Sequence, residues 1–163
     1  MRLGEAAFSA LVVNPFAWSD DWAWGLPLIV LTVAIHAVGF GLVGQRAIDF
    51  ASKMIERGHP RIMLLLVVGT ATLLATCLLG IEAGIWALAY RLLGALPDFR
   101  SSMLFSLNAM TSYGQSRLTV EEHWHLMGAL EALNGSMLFG LTTALLFALI
   151  QKVWVLDSAG EQK

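Results

Sequence analysis

The sequence predicts an all-α membrane protein with three transmembrane helices and a shorter helix between the second and the third. Of its 163 residues, 57% are hydrophobic and only 13% are charged, about half the charged share of an average soluble domain. Three apolar runs are separated by polar segments, and each run reaches the roughly 20 residues that a helix needs to cross a bilayer. These observations favour a multi-pass membrane protein over a soluble domain.

The N-terminal part of the chain predicts an interfacial segment followed by a first transmembrane helix. Residues 1–23 are mildly apolar with polar interruptions, which is typical of a segment that lies at the membrane surface. The helix is predicted over residues 24–45, where the apolar run has the length of one bilayer. Trp18, Trp22 and Trp24 form an aromatic belt at its start, which indicates a membrane–water interface.

Residues 46–60 are predicted to form a short polar loop on the cytoplasmic side. The loop contains Arg46, Lys53 and Arg57, and short loops rich in lysine and arginine stay in the cytoplasm. Alternate crossing then places the N-terminus outside and the C-terminal tail, residues 153–163, inside. The expected location is the plasma (inner) membrane.

The second and third apolar runs enclose an apolar stretch that is too short to cross the membrane. The second transmembrane helix is predicted over residues 62–95 and the third over residues 124–154. Between them, residues 98–109 are typical of a short helix with Asp98 or Ser101 as its N-cap. We expect this helix to be re-entrant, with its non-helical exit buried in protein or lining water.

The polar end of the short helix suits a cation. Residues 106–115 read S-L-N-A-M-T-S-Y-G-Q. The C-terminal end of a helix carries a partial negative charge, and backbone carbonyls can replace the hydration shell of an ion. One chain cannot enclose a pore with a single such loop, whereas a ring of identical copies around one axis can.

Residues 61–152 resemble the pore module of the bacterial tetrameric potassium channels, which consists of an outer helix, a re-entrant pore helix with its selectivity filter, and an inner helix. The resemblance rests on the Y-G-containing loop after the short helix and on the last helix, which contains A-L-N-G-S-M-L-F-G-L-T-T-A-L-L-F-A. The residues it implies are Thr111, Ser112, Tyr113 and Gly114 as filter, Gly135 as hinge, and Phe139 and Thr143 as cavity lining.

The same resemblance implies a function and an assembly. The chain would form a homotetramer in membrane lipid and conduct a monovalent cation passively, with potassium as the expected ion and sodium as the alternative. No cofactor is implied beyond the permeant ion. The helix at residues 24–45 would be an extra N-terminal helix in front of the pore module.

The filter departs from the family pattern T-x-G-Y-G-D, because this chain has M-T-S-Y-G-Q. A gapless alignment places Met110 at the first Thr of the family and Ser112 at its first Gly, which takes a positive φ there. An alignment on residues 106–108 places Thr111 at that Thr and omits two filter residues. Gln115 replaces the Asp at the outer mouth. Both alignments stay open at this point, and with them the ion selectivity.

Two carboxyl groups lie inside the apolar runs. Ionisable residues are costly in lipid, so Glu82 and Glu131 are expected to face protein or water. Both are predicted at a similar depth beside the re-entrant helix, where they would support the filter. Asn108, on the last turn of that helix, is their expected partner.

Two other functions compete with the channel. A small proton-coupled transporter would use Glu82, Glu131 and His36 as relay groups, and a non-conducting subunit would have kept the channel fold without its filter. No enzyme is predicted, because no nucleophile–base pair or phosphate-binding loop is found. His123 and His125 point apart at i, i+2 on a helix, so no metal site is predicted. The net charge of −2 predicts no nucleic-acid partner.

Overall fold

Four α-helices carry most of the chain in the computed structural model, which describes residues 18–55, 60–114, 120 and 122–160. In chain order they are α1 (Ser19–Ile55), α2 (Pro60–Leu92), α3 (Phe99–Met110) and α4 (His125–Gly160), with one 3-10 turn, Glu122–Trp124, before α4. Within these ranges there is no β-strand.

Three of the four helices contain stretches long and apolar enough to cross a membrane. These stretches are Ser19–Arg46 in α1, Leu64–Leu92 in α2 and His125–Val155 in α4. The predicted all-α fold and the three helices able to span a membrane are therefore confirmed.

The first and last helices are longer than predicted. The loop was predicted to begin at residue 46, but residues 46–55 continue α1. Residues 153–160 of the predicted tail likewise continue α4. Neither stretch contains a proline or a glycine before its last residue, so nothing interrupts the helical hydrogen bonds there. Residues 1–17 of the predicted interfacial segment and residues 56–59 of the predicted loop lie outside the described residues.

The three long helices pack against one another, with α1 in contact with both α2 and α4. A Cβ added to Gly25 of α1 would lie 2.6 Å from Leu130 of α4, and one added to Gly44 would lie 3.8 Å from Leu149. The later glycine of α1 contacts the later leucine of α4, so α1 and α4 run parallel. α2 runs opposite to them, because His36 meets Glu82 whereas the later Gly39 lies against the earlier Leu78. The largest fully buried apolar side chains are Trp86, Tyr90, Met127 and Leu138.

The short helix α3 packs against α2 and α4. Its buried face consists of Ser102, Ser106 and Met110, which are spaced four residues apart and therefore share one side of the helix. The two serines are small, so this side of α3 can approach its neighbours closely.

The end of α3 lies about a quarter to a third of the way along its neighbours, measured from the ends of α2 and α4 nearest to the α3 segment. The Ser106 hydroxyl donates to the carbonyl of Ala83 in α2, and the backbone of Met110 touches Gly135 in α4. At 1.5 Å per residue, both contacts lie about 15 Å in from the ends of α2 and α4 at which the chain enters and leaves the α3 segment. α3 thus descends into the bundle instead of lying across its end.

The N-terminal ends of α1 and α4 are joined by a buried carboxyl group. Asp21 is fully buried, and its Oδ1 accepts a 2.8 Å hydrogen bond from the backbone N–H of Met127. This N–H belongs to the first turn of α4, where it has no acceptor within its own helix. Asp21 therefore acts as an N-terminal cap supplied by a neighbouring helix.

Replacement of Asp21 by alanine is expected to destabilise the bundle by about 1 to 2 kcal/mol, because the Met127 N–H would be left buried without an acceptor. The measurement is reversible unfolding in detergent micelles, followed by circular dichroism. Asp20→Ala is the matched control, since Asp20 is exposed and makes two surface contacts, a 3.3 Å pair with His123 and a 3.4 Å bond from the Ser19 hydroxyl. It should change stability by less than about 0.5 kcal/mol. Equal effects of the two substitutions would contradict the capping role of Asp21.

Candidate functional site: the C-terminal end of α3

The site begins with a capped helix entry. Asp98 is the N-cap of α3, and its carboxylate accepts bonds from the backbone N–H of Ser101 at 2.9 Å and from the Ser101 hydroxyl at 2.8 Å. Of the two predicted caps, Asp98 is the one used. These bonds lower the pKa of the Asp98 carboxyl from its ordinary value. The stabilisation that they give is present above that ordinary value and is lost as the pH falls through the lowered one.

The exit from α3 is a Schellman motif. The N–H of Ser112 donates to the carbonyl of Ala109, and the N–H of Tyr113 donates to that of Asn108, each at 3.0 Å. In this motif the residue after the cap takes a left-handed conformation, and Ser112 accordingly has φ +52°. A serine in this region costs about 1 kcal/mol or more, so its conformation is imposed by the surrounding hydrogen bonds.

The four residues predicted as a filter form the exposed end of this turn. Thr111, Ser112, Tyr113 and Gly114 are all exposed on the single chain, and the Tyr113 side chain is 84% exposed. Gly114 also has a positive φ, +78°. Among the described residues, no hydrogen bond reaches the carbonyls of Thr111, Ser112 or Tyr113. The turn therefore offers backbone oxygens to a ligand or to other copies of the chain.

Glu131 holds α3 from behind. The side chain is fully buried, its Oε2 accepts a 2.8 Å bond from the Tyr90 hydroxyl, and its Oε1 is in close hydrogen-bond contact with the Ser106 hydroxyl. Ser106 also donates to the Ala83 carbonyl at 2.8 Å. One side chain of α4 thereby ties α2 and α3 together.

The hydrogen bonds around Glu131 can be counted against the protons available. The hydroxyl groups of Tyr90 and Ser106 carry two protons, whereas the contacts Tyr90–Glu131, Ser106–Ala83 and Ser106–Glu131 need three. A protonated Glu131 supplies the third by donating to the Ser106 oxygen. A neutral carboxylic acid also avoids the cost of a buried charge in an apolar bundle.

The predicted partner of the carboxyl groups is corrected by these contacts. The Asn108 amide donates to the Leu104 carbonyl of its own helix at 2.7 Å, and its bond with Glu131 or Glu82 is absent from the part of the chain that the structure describes. Asn108 lies on another face of α3 than the buried Ser106. Ser106 therefore takes the position behind the turn that was expected for Asn108.

Glu82 belongs to a separate network. Its Oε1 lies 3.0 Å from the Nδ1 of His36 in α1, and the Nε2 of His36 lies 2.9 Å from the hydroxyl of Thr142 in α4. All three side chains are buried. Glu82 thus joins the three long helices, and among the described residues no hydrogen bond links its side chain to α3. Its expected role beside the filter stays a prediction.

A neighbouring bond adds a second polar link between α1 and α4. The Asn134 amide donates to the Thr32 hydroxyl at 2.9 Å, and both side chains are fully buried. Because a hydrogen bond between helices in an apolar environment fixes their register, this pair and the His36 network set the position of α1.

Gly135 is required by a close contact. A Cβ built on Gly135 would lie 2.1 Å from the carbonyl oxygen of Met110 and 2.7 Å from its Cα. No real side chain fits at these distances, and backbone atoms cannot move aside as a flexible side chain can. α4 continues as a helix through this position. The structure thus assigns Gly135 a packing role, and the predicted hinge motion stays a prediction.

The predicted cavity residues lie on an exposed face of α4. Phe139 and Thr143 are both exposed on the single chain and are one helical turn apart. Ser136 and Gly140 are exposed as well, and the hydroxyl groups of Ser136 and Thr143 donate to carbonyls of their own helix. The face therefore presents small and weakly polar groups next to the exposed turn.

The two histidines near the start of α4 do not converge on one site. His123 lies 3.3 Å from Asp20, and the ring of His125 lies 3.0 Å from the Val120 carbonyl. Glu121, their possible third ligand, lies outside the described residues, as does Gln115. Within the ranges that are described, no group of three metal-ligating side chains occurs.

Tyr90, Ser106 and Thr142 are site residues that sequence reasoning missed. A signal for Ser106 existed, because Ser102, Ser106 and Met110 repeat at a spacing of four and so form one face of α3. Tyr90 and Thr142 have no such signal, since nothing in their own segments indicates which buried carboxyl or imidazole they meet.

Comparison of the chain with protein-family models, with curated proteins and with solved structures found no match.

Replacement of Gly135 by alanine is expected to displace the end of α3 and to destabilise the bundle by about 1 to 3 kcal/mol, the usual cost of overpacking. Unfolding in detergent micelles measures the loss. Gly80→Ala in α2 is the matched control, because a Cβ there meets nothing within 4 Å and Gly80 belongs to no part of the site. It should be neutral or stabilising, since alanine favours a helix over glycine by about 1 kcal/mol. A stable Gly135→Ala protein would disprove the close contact.

Proposed function

We propose that this protein is a cation channel, in which the exposed turn at Thr111–Gly114 forms the selectivity filter of a homotetramer. The observation that carries the proposal is the position of α3, which runs about 15 Å along a bundle able to span a membrane and ends in exposed carbonyl-bearing residues. Irregular backbone at such a depth is tolerated only against protein or water. A central pore shared by several copies meets this requirement.

The backbone of the turn supports the gapless filter alignment. That alignment places Ser112 at the family position that takes a positive φ, and Ser112 has φ +52°. Gly114 follows at φ +78°, so left-handed residues alternate along the turn. In extended backbone successive carbonyls point to opposite sides, and left-handed residues at alternate positions turn them toward the same side, as a filter whose carbonyls line one axis requires.

The exposed surface next to the turn supports an assembly of copies. Ser136, Gly140 and Thr143 give α4 a face of small, weakly polar residues, with Phe139 beside them. Small residues allow membrane helices to approach closely, and hydroxyl groups tolerate contact with water in a cavity. In a tetramer this face and the turn would surround the same axis.

The network behind the turn would hold the filter in place. Glu131 fixes α3 through Ser106, and the contact of Gly135 with Met110 fixes the last residue of that helix. A filter whose carbonyls replace water gains selectivity from fixed ligand positions. In this proposal Glu131 and Tyr90 act as positioning residues that do not touch the ion, which is expected to be potassium, with sodium as the alternative.

Ion flux from liposomes that contain the purified protein tests the proposal. Potassium flux is expected to exceed sodium flux, and Tyr113→Ala is expected to abolish the flux or its selectivity. Leu92→Ala is the control, because Leu92 is also largely exposed, at 77%, and lies away from the turn. Intact tetramers that carry no ion in any gradient would favour a non-conducting subunit with a channel-like fold.

The proton-coupled transporter remains a second candidate because of one observation, the buried contact between His36 and Glu82 at 3.0 Å. Histidine and carboxyl side chains inside membrane helices are the groups that form proton relays in transporters. This function requires a pH gradient to drive transport, and it requires that His36→Gln abolish it. Flux that is independent of a pH gradient in the same liposomes would exclude it.

Substitutions of Glu131 test the support of the filter. Glu131→Gln is expected to preserve selectivity, because an amide reproduces the donor toward Ser106 and the acceptor for Tyr90. Glu131→Met keeps the volume but leaves both hydroxyl groups without this partner, so it is expected to cost about 1 to 3 kcal/mol of stability and to lower the potassium-to-sodium flux ratio. An equal fall of the potassium-to-sodium flux ratio in both variants would show that a charged carboxylate is needed. An unchanged flux ratio in both variants would refute the support role.

A further inference from the structure

A groove between α1 and α4 lies at the end of the bundle opposite to α3. It encloses about 200 Å³, and six of its lining residues are Phe40, Gly41, Gly44, Gln45, Ala148 and Lys152. The glycines and the alanine form a low floor, since a Cβ at Gly41 would meet nothing within 4 Å. The ring of Phe40 and leucines of α4 form apolar walls.

The groove is apolar at one end and polar at the other. Phe40 and Gly41 lie at its apolar end, whereas Gln45 and Lys152 lie at the end nearer to the termini of both helices. At 1.5 Å per residue, the α1 side of the groove is about 8 Å long and the α4 side about 10 Å. A ligand that fits must therefore be apolar at one end and polar at the other over about this distance.

The polar end of the groove is cationic. Lys152 lines this end and is exposed, and no described carboxylate lies within ion-pair distance of it. The side chains of Asp49 and Asp157, which lie farther along α1 and α4, are not among those the structure describes. A lysine at the end of a membrane-spanning stretch extends toward the interface, where anionic headgroups lie.

We propose that this groove binds one anionic phospholipid. Its phosphate lies against Lys152 and Gln45, and the first part of one acyl chain lies over Gly41 between Phe40 and the leucines of α4. The charge of the groove selects the lipid, since a cationic pocket between membrane helices favours an anionic headgroup over a zwitterionic one.

The site is independent of the proposed channel. It lies on the opposite end of the bundle from Thr111–Gly114, and none of its lining residues belongs to the turn or to the network of Glu131. Lipid binding can therefore be measured whether or not the protein conducts ions.

Native mass spectrometry of the full chain in detergent, with added phosphatidylglycerol or phosphatidylcholine, tests the proposal. The wild-type protein should retain phosphatidylglycerol preferentially. Lys152→Gln should weaken phosphatidylglycerol binding about fivefold, the effect of one lysine near an anionic surface, and leave phosphatidylcholine binding unchanged. Gly41→Leu should abolish the bound lipid by filling the groove. Gly69→Leu is the matched control, because a Cβ at Gly69 also meets nothing within 4 Å and Gly69 does not line the groove.

Three results would overturn the proposal. Equal retention of the two lipids by the wild-type protein would remove the role of charge. Lipid retention by Gly41→Leu, with helicity and unfolding temperature as in Gly69→Leu, would place the lipid elsewhere. A changed number of subunits in Gly41→Leu with lipid binding intact would show that a second copy of the chain covers the groove.

Discussion

A helix of twelve residues that ends inside an apolar bundle must satisfy its last carbonyl groups without water, and this constraint shapes the rest of the structure. The chain meets it locally through the Schellman bonds to Asn108 and Ala109 and through the Thr111 hydroxyl, which donates to the Leu107 carbonyl. Two residues of α4 then hold α3 in place. Glu131 bonds to Ser106 on its side, and Gly135 packs against Met110 at its end. The remaining carbonyls, past the Schellman turn, are the ones that face outward.

The buried polar groups are arranged as links between helices, and many large apolar side chains lie on the outer surfaces of these helices. Glu131 joins α4 to α2 and α3, His36 joins α1 to α2 and α4, and Asp21 joins the first turns of α1 and α4. Lipid tails are as apolar as the side chains that compete with them, so apolar burial alone gives membrane helices little preference for one partner or register. Directional hydrogen bonds provide that preference here.

The fold could largely be predicted from the sequence, because length and apolar composition decide whether a helix can cross a membrane. Helix ends were less predictable: residues 46–55 contain three charged side chains and were predicted as part of a loop, yet charged residues do not end a helix that meets no proline or glycine. For the site, Glu82 and Glu131 stood out as costly residues in apolar runs, but their partners did not. Whether Glu131 meets Asn108 or Ser106 depends on the rotation of α3 about its axis, which the sequence determines only through the packing of its small residues.

The links of α1 have a consequence for synthesis. Asp21, Thr32 and His36 pair with Met127, Asn134 and Thr142, which follow them by 106, 102 and 106 residues. At the usual pace of a ribosome, about 5 to 20 residues per second, α1 emerges about 5 to 20 s before α4. During that interval three polar side chains of the first helix lack their final partners in the nascent chain. The Thr32 hydroxyl can meanwhile donate to the Leu28 carbonyl of its own helix, and His36 can meet Glu82 as soon as α2 is made. Of the three, the Asp21 carboxyl is the one whose described partner comes only with the last helix.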